Sequence, residues 1–143
     1  MSPLIKGFLI FALLYLIADL FVKQHGFGLF SHAINATLFG DEELYIDAIS
    51  EASFLEFWHT EIFMSMMLVF TLGTISIRLS EASRVSILLV NTLFIAAFAA
   101  LASLALAFYL DPVFVELYVA GYFVWHLCAL ILLLHSLVSI YRA

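Results

Sequence analysis

Four stretches of this sequence, at residues 5–22, 54–78, 85–110 and 112–140, are long and apolar enough to cross a bilayer as helices. About 20 predominantly apolar residues suffice for one crossing. Nothing else restricts the fold so strongly, because a backbone in hydrocarbon finds no water and must bond its own N–H and C=O groups. Composition agrees: 66% of the 143 residues are hydrophobic and 11% are charged, against about 25% charged in an average soluble domain. A disordered chain needs the opposite balance of low hydrophobicity and high net charge. The expected fold is all-α, an integral membrane four-transmembrane-helix bundle forming one transmembrane domain over residues 1–143.

The few basic residues orient the bundle. Lys6, Arg78, Arg84 and Arg142 fall on one side of a four-span arrangement and only Lys23 on the other. The positive-inside rule then puts both termini in the cytoplasm, in a bacterial inner membrane. The first span has no small-residue cleavage site after it and is interrupted by Asp19, so it reads as a retained span and not as a signal peptide. Between spans three and four, Asp111-Pro112 reads as a helix N-cap followed by proline at the first helical position. The third span carries small residues four apart, Ala96, Ala100, Ser103 and Ala107 among them, a pattern that lets helices approach closely in lipid.

The opposite face receives the long loop of residues 23–53, too long for a simple turn. One or two short amphipathic or interfacial helices are expected in it. Residues 27–39 are apolar but too short to span, and a helix there would align His25 with His32. Residues 41–55 read as a second, amphipathic helix on which Glu43, Asp47 and Glu51 stack at intervals of four. Seven of the eleven acids lie between Asp41 and Glu61, so this loop is suited to collecting cations or docking a membrane-protein partner. The oxygen-ligand spacing of an EF-hand is missing from it.

Ionisable groups inside spans are costly and mark functional sites by default. Counting about 1.5 Å per residue along each helix places Asp19, Glu61 and His126 in one layer beneath the outer surface, with His59 slightly shallower. A second layer, nearer the cytoplasm, holds Asn91 and His135. Helical phase limits the grouping. His59 and Glu61 point about 200° apart, whereas Glu56 and His59, three apart, share a face. Asp19 also has a simple partner within reach in Lys23, four residues on.

Imidazole and carboxylate ligands suit a divalent transition metal, with Glu56, His59, Glu61, His126 and Asp19 as candidate ligands. Glu56-Phe-Trp-His59 has the Glu-x-x-His spacing of di-iron bundles, but it occurs once where those bundles use it twice. The leading expectation is an oligomeric cation channel or transporter for protons or a divalent metal. In it Asn91 and His135 continue the pathway, and His25, His32, Glu43, Asp47 and Glu51 surround its mouth. One alternative is a redox protein holding b-type haem between His59 and His126, or working beside a quinone. Another is an accessory subunit without chemistry of its own. No nucleotide-binding loop, nucleophile motif or paired-cysteine motif is present, which makes an enzyme the less favoured class. Five Lys and Arg give nucleic acid no footing.

Overall fold

The computed structural model describes residues 3–142, except for the side chains of Tyr141 and Arg142, so Arg142 of the basic set lies outside the described side chains. The chain is all-helical: α1 (Pro3–Gly26), α2 (Ser31–Phe39), α3 (Glu51–Leu79), α4 (Arg84–Tyr109) and α5 (Phe114–Arg142). Four of these, α1, α3, α4 and α5, are long and apolar enough to cross a membrane.

Helix ends follow the local chemistry. Ser50 caps α3 by accepting from the Ser53 N–H, and Ser83 caps α4 by accepting from the Ser86 N–H; each satisfies a donor that the first turn leaves orphaned. Asp111 Oδ1 accepts from the Val113 N–H at 2.8 Å. Helix α5 then begins two residues past the expected start at Pro112, through tight i→i+3 bonds such as Val115 N–H to the Pro112 carbonyl at 2.9 Å. At the other extreme α1 runs past the expected end at Val22, carrying Lys23 and His25 within the helix.

In lipid, tails are as apolar as leucine, so helices associate through close packing and interhelical hydrogen bonds. The most extensive pair is α4 with α5. Its seam is the small-residue stripe of α4, where Ala96, Ala97, Ala100, Ser103 and Ala107 are all buried. A Cβ added to Gly121 of α5 would stand 3.1 Å from both the Ala100 Cβ and the Ala96 carbonyl oxygen. That stripe is therefore consumed inside the bundle. Helix α3 joins the pair through a buried hydroxyl contact, Ser76 Oγ to Ser136 Oγ at 3.0 Å. It is also held by Trp58, whose indole N–H donates to the Leu101 carbonyl at 2.9 Å. Near its start Phe54 stacks on Phe108 with ring centres 4.0 Å apart.

Helix α1 buries a narrow stripe, Leu9, Ala12, Leu16, Asp19 and Lys23. The spacing alternates three and four, as a single helix–helix seam requires, and its last two members are charged. Helix α5 is the hub, touching α1, α2, α3 and α4.

The loop departs from expectation. Residues 27–30 break the helix between His25 and His32, so those histidines share no helical face. One short helix, α2, forms, but the amphipathic helix expected at 41–55 does not exist before Glu51. Asp41 explains why: its Oδ1 accepts from the N–H groups of Glu43 and Leu44, an Asx turn that competes with helix formation. Tyr45 follows in left-handed backbone with φ 55°. Glu43 consequently sits exposed on a turn, Asp47 is exposed just past it, and Glu51 opens α3, accepting from the Tyr109 hydroxyl at 3.0 Å.

Replacing Gly121 with leucine is expected to cost about 1–3 kcal/mol, the usual penalty for overpacking a tight contact. Thermal unfolding in detergent would show it as a lowered midpoint. Gly7→Leu is the control, because a Cβ added at Gly7 meets nothing within 4 Å.

Candidate functional site

Asp19 and Lys23 stand one helical turn apart and end the buried seam of α1. Glu61 enters from α3, and Tyr122 and His126, again one turn apart, enter from α5. These side chains meet where the three helices converge.

Lys23 is the centre, with only 2% of its surface exposed. Its ammonium is ion-paired to Glu61 and lies 3.5 Å from Asp19 Oδ1. Asp19 Oδ2 accepts from the Tyr122 hydroxyl at 2.7 Å and lies 3.1 Å from His126 Nε2. The other ring nitrogen of His126, Nδ1, faces the Tyr122 carbonyl at 3.2 Å.

Aromatic walls enclose the cluster. The Lys23 Nζ lies 5.2 Å from the centre of the Phe57 ring and 5.3 Å from that of Tyr122, within the range of cation–π attraction. Trp125 packs against His126 with ring centres 3.9 Å apart. Phe27 stacks on Phe57 at 4.3 Å and meets Tyr118 edge-on at 6.3 Å, so the link after α1 covers the site. The turn that seats Phe27 is tight. The Lys23 carbonyl accepts from both Phe27 and Gly28, and Gly28 has φ 101° with Ala33 so near that a Cβ would lie 2.7 Å from its Cβ. Only glycine fits there.

Of the residues expected to act together, Asp19, Glu61 and His126 do meet. Glu56 and His59 do not, because they lie exposed on the opposite side of α3 from Glu61. His59 and His126 therefore do not face each other as a shared haem requires. Asn91 and His135 are exposed on the outside of the bundle and form no inner layer; His25 and His32 are exposed as well. Among the described residues no group of three or more His, Cys, Asp and Glu side chains is placed to hold a metal ion. In this cluster an ammonium stands between the two carboxylates where a metal would need to be.

The sequence pattern offers Lys23 only as a partner for Asp19 and does not mark Tyr122 as a site residue. Their signal is spacing: Asp19 with Lys23 and Tyr122 with His126 are both i,i+4 pairs, which share a helix face. Lys23 also continues the three-four rhythm of the α1 seam.

Removing one partner of a buried ion pair strands the others, at a cost of about 3–5 kcal/mol. Lys23→Met should therefore lower the unfolding midpoint sharply in detergent, and adding Glu61→Gln to it should recover part of the loss. Additive losses in the double variant would show that the two residues are not coupled.

A family model described as a transmembrane helical domain matches residues 28–143. The match takes in Glu61, Tyr122 and His126, while Asp19 and Lys23 precede it. No curated protein and no solved structure matches the chain. This is an integral membrane protein, and it belongs to the Aq_1264_TM family.

Proposed function

We propose that this protein carries protons or other monovalent cations across the membrane, and that the Asp19–Lys23–Glu61–His126 cluster is the site through which they pass. The observation that carries this reading is the burial of four ionisable side chains from three spans in one contact network. Intramembrane groups of this kind are costly, and proton relays and ion pathways are where they recur. The Tyr122 hydroxyl donates to Asp19 at 2.7 Å, and His126 Nε2 approaches the same carboxylate at 3.1 Å, within the reach over which a proton can be passed.

The same contacts favour a monovalent cation over a divalent metal. Magnesium and calcium need six or more oxygen ligands, whereas the carboxylates here are already engaged by a cation of single charge. In the orientation proposed, both termini lie in the cytoplasm, and the cluster sits toward the extracytoplasmic side beneath α2 and the acidic turn. The small-residue face of α4 is used within the bundle, so an oligomer would assemble through faces that the bundle leaves exposed.

Reconstituted liposomes with an internal pH-sensitive dye test this. Asp19→Asn and Glu61→Gln should each reduce proton flux at least ~10-fold, equivalent to about 1.4 kcal/mol on the barrier. His135→Ala, at an exposed position outside the cluster, should leave the flux unchanged. Equal flux in wild type, Asp19→Asn and Glu61→Gln would overturn the assignment.

A further inference from the structure

Lipid tails satisfy an apolar side chain but not an amide, and α4 turns one amide to the outside of the bundle. Asn91 is exposed, and among the described residues nothing hydrogen-bonds its side chain. Its depth decides whether water can serve it instead. The 26 residues of α4 are about 39 Å long, against a hydrocarbon core about 30 Å thick. A centred helix thus leaves about 4.5 Å outside the core at each end. Asn91 lies seven residues past Arg84, where α4 begins, so it stands about 6 Å inside the hydrocarbon. Its side chain is too short to reach back to the interface, as a lysine or arginine would. Exposed threonines in the neighbouring span meet the same problem locally. Thr60 and Thr74 donate to the carbonyls of Glu56 and Phe70, four residues back, at 2.9 and 2.8 Å. Asn91 has no such bond.

The surroundings of Asn91 show what covers it. Leu88, Asn91, Ile95, Phe98 and Ala102 follow one another at intervals of three and four, the rhythm of a seam between two helices. This line runs along α4 away from its buried stripe, with Leu88, Ile95 and Phe98 exposed at 66, 70 and 75%. Beside it α3 and α4 part to leave an open groove of about 560 Å³. Met66 and Phe70 wall the groove on one side and Phe94 and Leu101 on the other, and the exposed Phe98 lines it too. A ridge and a hole side by side are self-complementary, because a two-fold axis sets the ridge of each copy into the hole of the other.

We propose that a second copy of this chain packs on this face, α4 beside α4, with the two Asn91 amides hydrogen-bonded to each other and each Phe98 seated in the other copy's groove. A two-fold axis along the membrane normal preserves depth, so it brings each residue level with its own counterpart. An amide carries both donors and an acceptor and can therefore pair with its own copy, which a lone carboxylate or ammonium cannot do. Acyl chains fill such a groove but leave the amide unpaired. Asparagine bridging two membrane helices is an established form of interhelical glue, and at a seam position it also fixes register. The interface stands or falls apart from the transport reading, whose cluster joins α1, α3 and α5.

Disulfide trapping in membranes tests the geometry. Cys128, the one native cysteine, is replaced by alanine, and single cysteines are then introduced. Leu88→Cys and Ile95→Cys should give covalent dimers under mild oxidation. Ile10→Cys and Leu127→Cys, also exposed but on α1 and α5, should remain monomeric. Resonance energy transfer between two labelled populations in liposomes then measures association as lipid is added. Asn91→Leu should raise the dissociation constant about 10-fold, within the range of polar contacts between membrane helices. Asn91→Gln, which keeps the amide, should lose less, and His135→Leu, outside the seam, should match wild type.

Cross-linking at Leu88→Cys and Ile95→Cys no stronger than at the control positions would overturn the proposal. So would equal dissociation constants for wild type and Asn91→Leu. A wild-type chain that stays monomeric at the highest protein-to-lipid ratio would overturn it as well, the groove then holding lipid alone. Proton flux enters none of these measurements, so a failed transport reading leaves the interface standing, and the reverse holds too.

Discussion

A charge in a low-dielectric interior must be neutralised where it sits, and one lysine meets that demand for this bundle. Isolated, an ion of this size would cost many kcal/mol to bring out of water, and even a buried pair only breaks even when its remaining hydrogen bonds are made. Lys23 answers two carboxylates on two helices, and His126 and Tyr122 complete the coordination of Asp19. Each group is tolerable only because the others are present. That makes the network a geometric requirement on α1, α3 and α5 together, since a shift of any one helix leaves a charge uncovered.

The rest of the bundle meets a different constraint by different means. Between α4 and α5 nothing polar is needed, because alanines facing Gly121 bring the backbones close enough for packing alone to hold. Helix α3 is intermediate, held to its neighbours by the Ser76–Ser136 contact and the Trp58 indole as well as by apolar side chains. The polar cost of the site is thus confined to one end, where α2 and Phe27 cover it. Among the described residues, the opposite end buries only serines as polar groups in its core.

What could be read from the sequence divides along the same line. The four spans were plain, because an apolar run some twenty residues long has one physical outcome in a bilayer. Depth was readable as well: counting along each helix put Asp19, Glu61 and His126 at one level, and they meet. Azimuth was not. Asn91 and His135 matched in depth, but both face outward, and only the packing of α4 on α5 decides that. The apolar run stops at Val22 and so leaves Lys23 to the loop, whereas backbone hydrogen bonding carries α1 on to Gly26. The acidic run after Gly40 looked helical by periodicity. There a single side chain, Asp41, offers the backbone a turn that period counting does not see.

The way α1 is held bears on how the site would work. It packs chiefly on α5 and only narrowly on α3, along one seam of five buried residues whose last two are Asp19 and Lys23. Two of those five contacts are therefore electrostatic, made with ionisable groups of α3 and α5. Packing between α4 and α5 is indifferent to a change of charge there, but the seam of α1 is not. On the proposed function, protonating Glu61 would loosen α1 selectively against a fixed α4–α5 core. A ligand shifts a conformational equilibrium only through its differential affinity for the two states. Here that difference is built into the anchorage of one helix.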